Sequence, residues 1–248
     1  MCLPMRIAYC GYDFFSACLQ QLIDDGHEII QAFTFDCDNH FNFNQYVDEI
    51  CRTHQIPITA AAINSHDINR LEQQNCDLII TAGYRYKVPD LSASSVKGFN
   101  IHPSLLPVGR GVWPLPWTIL TNQQKSGISI HKISNQFDAG DILVQHAFRL
   151  DNDEHLESLS CKHQMIAPKI LRELMQDFEA KWESATPQPN SNMSYWSMPA
   201  KEDRTLDWTK DVEVLQRTVR AFGKSGTIAN FDNNWWYVYD AKAWQEPH

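Results

Sequence analysis

The sequence predicts an α/β fold with a doubly wound, mostly parallel sheet. Apolar runs at residues 6–10, 28–35 and 77–81 fit short buried strands, and helical spacing at 14–25 and 45–54 separates them. Strands that alternate with helices predict parallel crossover units. Such sheets bind ligands in the crevice beyond the carboxyl ends of their strands, so we expect a functional site at that rim.

The individual elements follow this alternation along the chain. The first strand is broken by Gly11, and Gly26 provides a stop for the first helix. After the second strand and second helix, the remaining predicted elements of this part are a short extended piece at 56–58, a helix at 66–74 and a strand at 98–101.

The C-terminal part has a different composition. A charged helical pattern at 151–183 is followed by a segment rich in Pro, Ser and Asn at 185–194, and then by one more helix at 211–222. Two strand-like runs within 227–243 meet at Asp232-Asn233-Asn234, which suits a tight hairpin turn. We predict a catalytic domain at 1–184, a linker at 185–202 and a small helix-plus-hairpin appendage at 203–248.

Composition and charge exclude several classes of protein. The 248 residues are 43% hydrophobic and 21% charged, an ordinary globular balance, and the formal charge of −9 argues against a nucleic-acid partner. The seven scattered cysteines form no CxxC pair, and we expect reduced thiols and no metal. No signal-peptide pattern and no long apolar stretch is present, which predicts a cytoplasmic enzyme with no membrane partner.

Three polar residues are candidates for catalysis. Asn100 and His102 lie two apart at a strand end, so their side chains point to the same face, and Pro103 stops the strand. Asp138 precedes Ala139-Gly140, a turn that can bend the backbone toward the same site. We therefore expect the three side chains to share one pocket.

The motifs around these residues resemble the folate-dependent formyltransferase family. They are NIHPSLLP at 100–107, the following Arg110-Gly111 and DAGDI at 138–142, within a likeness that runs from 6 to about 148. The resemblance implies a Rossmann-like sheet, N10-formyltetrahydrofolate as the donor and Asn100, His102 and Asp138 as the catalytic trio. Attack of an amine on a formyl carbon places negative charge on oxygen, which Asn100 and His102 can stabilise as donors. Asp138 can take the proton that the amine loses.

The same resemblance predicts binding residues around the trio. The expected folate walls are the loop Tyr84, Arg85, Tyr86, Lys87 and Val88 and the loop Ser134, Asn135, Gln136 and Phe137. The expected acceptor contacts are Gly11, Tyr12, Asp13, Ser104, Arg110 and Gly111. Arg110 could contact a substrate phosphate, and Asp13 could instead cap the helix that follows it.

The sequence restricts the chemical identity of the formyl acceptor less than that of the formyl donor. An amino sugar carried on a nucleotide, as in surface-polysaccharide or lipopolysaccharide pathways, is the first hypothesis. Formylation of an amino-acid-derived amine or of methionyl-tRNA stays open, as does a formyltetrahydrofolate hydrolase that uses the trio on water. A folate-binding module without catalysis would not need an intact trio. The aromatic C-terminal hairpin could cap the cleft, stack on a nucleotide base or pair two subunits as a homodimer.

Overall fold

A computed structural model describes residues 3–40, 42–242 and 244 and contains a seven-stranded sheet in the order β3-β2-β1-β4-β5-β6-β7. The strands are β1 (Arg6–Gly11), β2 (Glu28–Thr34), β3 (Ile58–Ala60), β4 (Leu78–Ala82), β5 (Lys97–His102), β6 (Lys125–Lys132) and β7 (Ile142–Arg149). The pairs among β1 to β5 are parallel, and β6 and β7 extend the sheet antiparallel. The predicted doubly wound, mostly parallel sheet is confirmed.

Seven α-helices accompany the strands within the described ranges. They are α1 (Ser16–Asp24), α2 (Gln45–Thr53), α3 (Ser65–Gln73), α4 (Pro114–Leu120), α5 (Leu156–Gln176), α6 (Phe178–Glu183) and α7 (Val212–Phe222). The strands β6 and β7 and the helix α4 are not among the predicted elements. In β7 most side chains are exposed or half-buried, so this edge strand lacks the apolar run that identifies a buried one.

The central strands are apolar because helices cover both faces of the sheet. In β1, Ile7 and Tyr9 face a core cluster that includes residues of α1, α2 and α5, whereas Ala8 and Cys10 face a second cluster with residues of α3. A strand that is buried on both faces has no polar side to alternate with. This explains why the run at 6–10 is continuously apolar.

The C-terminal segment packs on the sheet domain. Phe222 at the end of α7 is fully buried in a cluster with Leu115 and Ile119 of α4 and Leu159 of α5. The predicted hairpin follows as β8 (Thr227–Phe231) and β9 (Asn234–Val238), joined by two residues with positive φ. The domain boundaries at 184 and 202 stay a prediction. Of the helices in the described part of the chain, none has both the length and the apolar character needed to cross a membrane.

Candidate active site

The candidate site lies where β4, β5 and β6 meet at the rim of the sheet. Asn100 on β5 is in register with Thr81 on the parallel strand β4 and with His131 on the antiparallel strand β6. His102 follows two residues later on β5, and Asp138 comes from the loop between β6 and β7. The sheet register and this loop bring the predicted trio together.

Asp138 is the centre of the polar cluster. Its Oδ1 accepts a hydrogen bond from Asn100 Nδ2 at 3.1 Å and lies 3.5 Å from His102 Nδ1 and 3.4 Å from His131 Nε2. Its Oδ2 accepts from the backbone N–H of Gly111 at 2.9 Å. A buried carboxylate needs several partners of this kind to remain charged.

Backbone carbonyls define the protonation of the two histidines. His102 Nε2 lies 2.7 Å from the carbonyl oxygen of Gly109, and His131 Nδ1 lies 2.9 Å from that of Lys132. A carbonyl oxygen only accepts, so each of these nitrogens carries the hydrogen. The opposite nitrogens of the two rings, His102 Nδ1 and His131 Nε2, face the Asp138 carboxylate.

The electrostatics of the site favour an ionised carboxylate at Asp138. Burial lowers the pKa of His102, and the attraction of Asp138 only partly offsets this effect. Burial alone would raise the pKa of Asp138, but His102, His131 and the Gly111 N–H together bring this pKa well below its ordinary value. Asp138 is therefore ionised at neutral pH and is available as a base.

Buried histidines should make the stability of the fold depend on pH. Burial lowers the pKa of His27, His102 and His163 below the ordinary histidine value. As the pH falls below about 6.5, the unfolded chain then binds more protons than the native protein. The free energy of unfolding should therefore decrease by up to about 1.4 kcal/mol per pH unit for each histidine. Denaturant titrations at about pH 7.5 and about pH 5.5 measure this change, and His163→Gln should reduce it. Equal pH dependence in this variant would contradict the assignment to His163.

Thr81 determines the orientation of the Asn100 amide. Its hydroxyl donates to Asn100 Oδ1 at 2.7 Å, which leaves Nδ2 to face His131 Nε2 at 3.1 Å and the carboxylate of Asp138. The donor that an oxyanion requires is thereby held in the cluster.

Thr81→Val should therefore reduce turnover. Losing one orienting hydrogen bond of about 1 kcal/mol corresponds to about a fivefold lower kcat. Thr34→Val is a matched control, because the buried hydroxyl of Thr34 has no hydrogen-bond partner within the described residues. Steady-state rates of the two variants provide the comparison, and equal rates would show that the Asn100 amide needs no orienting hydroxyl.

The first predicted folate wall follows β4 directly. Tyr84 donates its hydroxyl hydrogen to the carbonyl of Ala61 at 2.7 Å, which ties this loop to the segment after β3. The guanidinium of Arg85 lies 5.6 Å from the ring centre of Tyr86, and Val88 is buried in the core. The loop is fixed at both ends and presents Arg85 at the surface.

The second predicted wall, at 134–137, contacts the first. Lys87 Nζ donates to the carbonyl of Asn135 at 2.8 Å, and Asn135 Nδ2 donates to Asp90 at 3.3 Å. Ser134 donates to the carbonyl of Gln136 at 2.8 Å, and the side chain of Phe137 is 51% exposed. The two loops meet beside Asp138. Their contact with folate stays a prediction.

The residues after β1 have partners within the protein. A Cβ at Gly11 would come within 2.7 Å of the Ala82 carbonyl oxygen, so this position needs glycine. Tyr12 packs on Phe35 with 5.3 Å between ring centres. The carboxylate of Asp13 accepts from the backbone N–H groups of Tyr46 and Val47, at 3.1 and 3.0 Å. Asp13 thus caps α2 and not the helix that follows it in the chain.

Ser104 and Arg110 also bind protein groups. Ser104 is buried and donates to the carbonyl of Val108 at 2.8 Å. The buried guanidinium of Arg110 donates twice to Gln188 Oε1, at 3.0 and 2.7 Å. In this arrangement Arg110 is directed at a protein side chain, and a contact of either residue with substrate stays a prediction.

Two residues of the site were not found from the sequence. His131 ends the SGISIH segment, and its role becomes visible only once β6 is paired with β5. Gln188 lies in the predicted linker, 50 residues from Asp138. No spacing pattern in the sequence points from the linker to the loop that contains Asp138.

Comparison with known proteins identifies the class. Residues 14–175 match the family described as Formyl transferase, and the chain belongs to this family. The methionyl-tRNA formyltransferase of Treponema denticola is 32% identical over 190 residues, which cover 75% of this chain and 59% of that protein. The chain thus spans about three fifths of the length of this curated relative.

Solved structures share the fold. HypX from Aquifex aeolicus in complex with tetrahydrofolic acid matches with a TM-score of 0.71 and 20% identity, over 96% of this chain and 38% of that one. The N-formyltransferase from Helicobacter canadensis, solved with folinic acid and dTDP-3-aminofucose, matches with a TM-score of 0.74 and 17% identity. That match covers 92% of this chain and 85% of that one.

Proposed function

We propose that this protein transfers a formyl group from N10-formyltetrahydrofolate to the primary amine of a nucleotide-linked amino sugar. The observation that carries the proposal is the convergence of three side chains in one polar cluster, in which Asn100 Nδ2 and His102 Nδ1 lie 3.1 and 3.5 Å from Asp138 Oδ1. This cluster lies beside two contacting loops, 84–88 and 134–137, which the motif resemblance predicts as the folate walls.

Each residue of the cluster has a defined task in this reaction. N10-formyltetrahydrofolate supplies the formyl group. The amine nitrogen bonds to the formyl carbon, the carbon–N10 bond breaks, and the proton lost by the amine finally reaches N10. Asp138 accepts that proton directly or through water, and His102 Nδ1 and His131 Nε2 lie 3.5 and 3.4 Å from one of its carboxylate oxygens.

Stabilisation of the developing oxyanion requires an exchange of hydrogen bonds. Asn100 Nδ2 now donates to Asp138, and His102 Nε2 donates to the Gly109 carbonyl. Either group can donate to the formyl oxygen once it releases its present acceptor. Stabilisation of the oxyanion by either group therefore includes the loss of one hydrogen bond within the protein.

Two observations support a nucleotide-linked amino sugar as the acceptor. The Helicobacter canadensis enzyme, solved with dTDP-3-aminofucose, is matched over 85% of its length. The formal charge of −9 on this chain weakens attraction to a polyanion such as tRNA but leaves binding of one small nucleotide possible through local contacts. Formylation of methionyl-tRNA is the second candidate, because the Treponema denticola relative at 32% identity has that name.

A donor-release assay tests the proposal. The protein is incubated with N10-formyltetrahydrofolate and, in separate reactions, a panel of nucleotide-linked amino sugars, methionyl-tRNA or no amine, and tetrahydrofolate is measured. Release that depends on an amino sugar, with formylated product in equal amount, is the expected result. Release of tetrahydrofolate without any amine would indicate a hydrolase. Release only with methionyl-tRNA would show that the acceptor is methionyl-tRNA and not an amino sugar.

A further inference from the structure

A segment after α6 contacts the loop between β6 and β7 that contains Asp138. We name residues 186–197 the strap. Gln188 of the strap donates from Nε2 to the carbonyl oxygens of Asp138, at 2.8 Å, and of Gly140, at 2.7 Å. Its Oε1 accepts from Nε and Nη2 of Arg110, at 3.0 and 2.7 Å. One side chain thus connects the loop of the catalytic aspartate to Arg110.

The orientation of the Gln188 amide follows from its partners. A guanidinium only donates, so the atom that faces Arg110 must be the amide oxygen. The amide nitrogen then faces two carbonyl oxygens, which only accept. Both hydrogens and both lone pairs of the Gln188 amide are used, and a flipped amide would face like groups on both sides.

The turn that Gln188 holds has an uncommon backbone conformation. Asp138 has a φ of +53°, which is unfavourable for a residue with a Cβ and persists where the surroundings hold it. On its other side the turn rests on β6, since a Cβ at Gly140 would lie 1.9 Å from the Lys132 carbonyl oxygen. The backbone of Asp138 is thus fixed between β6 and the strap, and its carboxylate is aimed at His102 and His131.

The strap also holds the loop at 107–111. Gly109 N–H donates to Ser194 Oγ at 2.8 Å, and Arg110 N–H donates to the Ser194 carbonyl at 3.0 Å. This loop supplies the Gly109 carbonyl that binds His102 and the Gly111 N–H that binds Asp138. The contacts of the His102 and Asp138 side chains therefore depend on the strap.

We propose that Gln188 is a positioning residue for formyl transfer, which holds the Asp138 turn through its amide hydrogens, and that Arg110 orients the Gln188 amide. The expected change in kcat rests on the proposed function. The expected displacement of the Asp138 turn rests only on the geometry of the cluster. Arg110 acts on catalysis through Gln188 in this assignment.

Gln188→Glu separates positioning from simple support of the fold. One carboxylate oxygen still accepts from Arg110, now as an ion pair, whereas the other would face the carbonyls of Asp138 and Gly140 without a hydrogen to donate. We expect thermal stability near that of the wild type and a kcat lower by about tenfold or more, because small displacements of a catalytic group are costly. Gln188→Leu should lower kcat similarly and also lower thermal stability. Gln73→Leu, the same change at the exposed end of α3, is the matched control.

Two readouts show whether the carboxylate has moved. In Gln188→Glu the KM for the folate donor should remain within about twofold, since the change acts on turnover. In ¹⁵N-histidine NMR, the resonances of His102 and His131 should shift in Gln188→Glu and not in Gln73→Leu. Wild-type kcat and unchanged histidine resonances in Gln188→Glu would overturn the inference. An inactive wild type would refute the proposed function, and the histidine resonances alone would then decide the role of Gln188.

Discussion

Asp138→Asn is expected to lower kcat/KM for formyl transfer by about a hundredfold or more, because general-base catalysis by a positioned carboxylate contributes about that much or more. The substitution removes the negative charge and preserves the shape. The new amide oxygen can accept from the Gly111 N–H, whereas the new amide nitrogen replaces the acceptor that Asn100 Nδ2 now uses. Because the shape of the side chain is preserved, the fold should persist, and the lost activity reports the charge of the carboxylate together with this hydrogen bond.

Asp141→Asn is the matched control for this experiment. Asp141 is the second carboxylate of the DAGDI segment, and its backbone carbonyl accepts from the Lys132 N–H, a contact that the variant retains. Steady-state kinetics and thermal unfolding are measured for both variants. Near-normal kcat/KM in Asp138→Asn would remove Asp138 from the mechanism, whereas equal losses in both variants would indicate a disturbed loop.

The contrast between the site residues that were predicted and those that were not has a physical basis. Asn100, His102 and Asp138 lie in two short motifs, and alternation along a strand is enough to place Asn100 and His102 on the same face. His131 needed the antiparallel pairing of β6 with β5, and Gln188 needed a contact across 50 residues. Local spacing contains no information on which distant loops meet.

The same distinction applies to the fold. The strands β1 and β4 are buried on both faces and have apolar runs that predict them, whereas β7 is exposed along much of its length. Composition alone predicts a linker at the segment rich in Pro, Ser and Asn. Gln188 and Ser194 of this segment make specific hydrogen bonds to Asp138, Gly109 and Arg110. Composition describes the intrinsic conformational preference of such a segment and not the surface on which it packs.

Gly111→Ala should abolish most of the activity and also lower stability, because this position combines two constraints. Gly111 has a φ of +118°, which favours glycine, and a Cβ added there would lie 2.2 Å from the carbonyl oxygen of Trp196 in the strap. Relieving that clash requires the strap and the loop at 107–111 to separate. The Gly111 N–H would then move away from Asp138 Oδ2, to which it now donates at 2.9 Å.

Gly26→Ala separates the clash from the backbone strain. Gly26 has a φ of +85°, but nothing lies within 4 Å of a Cβ added there. The strain alone costs about 1 kcal/mol, which corresponds to about 2–4 °C in Tm for a chain of this size. We expect Gly26→Ala to show that small shift with normal kcat, and Gly111→Ala to show a larger shift with kcat reduced about a hundredfold or more, as for a displaced catalytic group. Thermal unfolding and single-turnover rates of the two variants make the comparison. If Gly111→Ala behaves like Gly26→Ala, the strap adapts to the added methyl group, and its contact with Gly111 does not hold Asp138 in place.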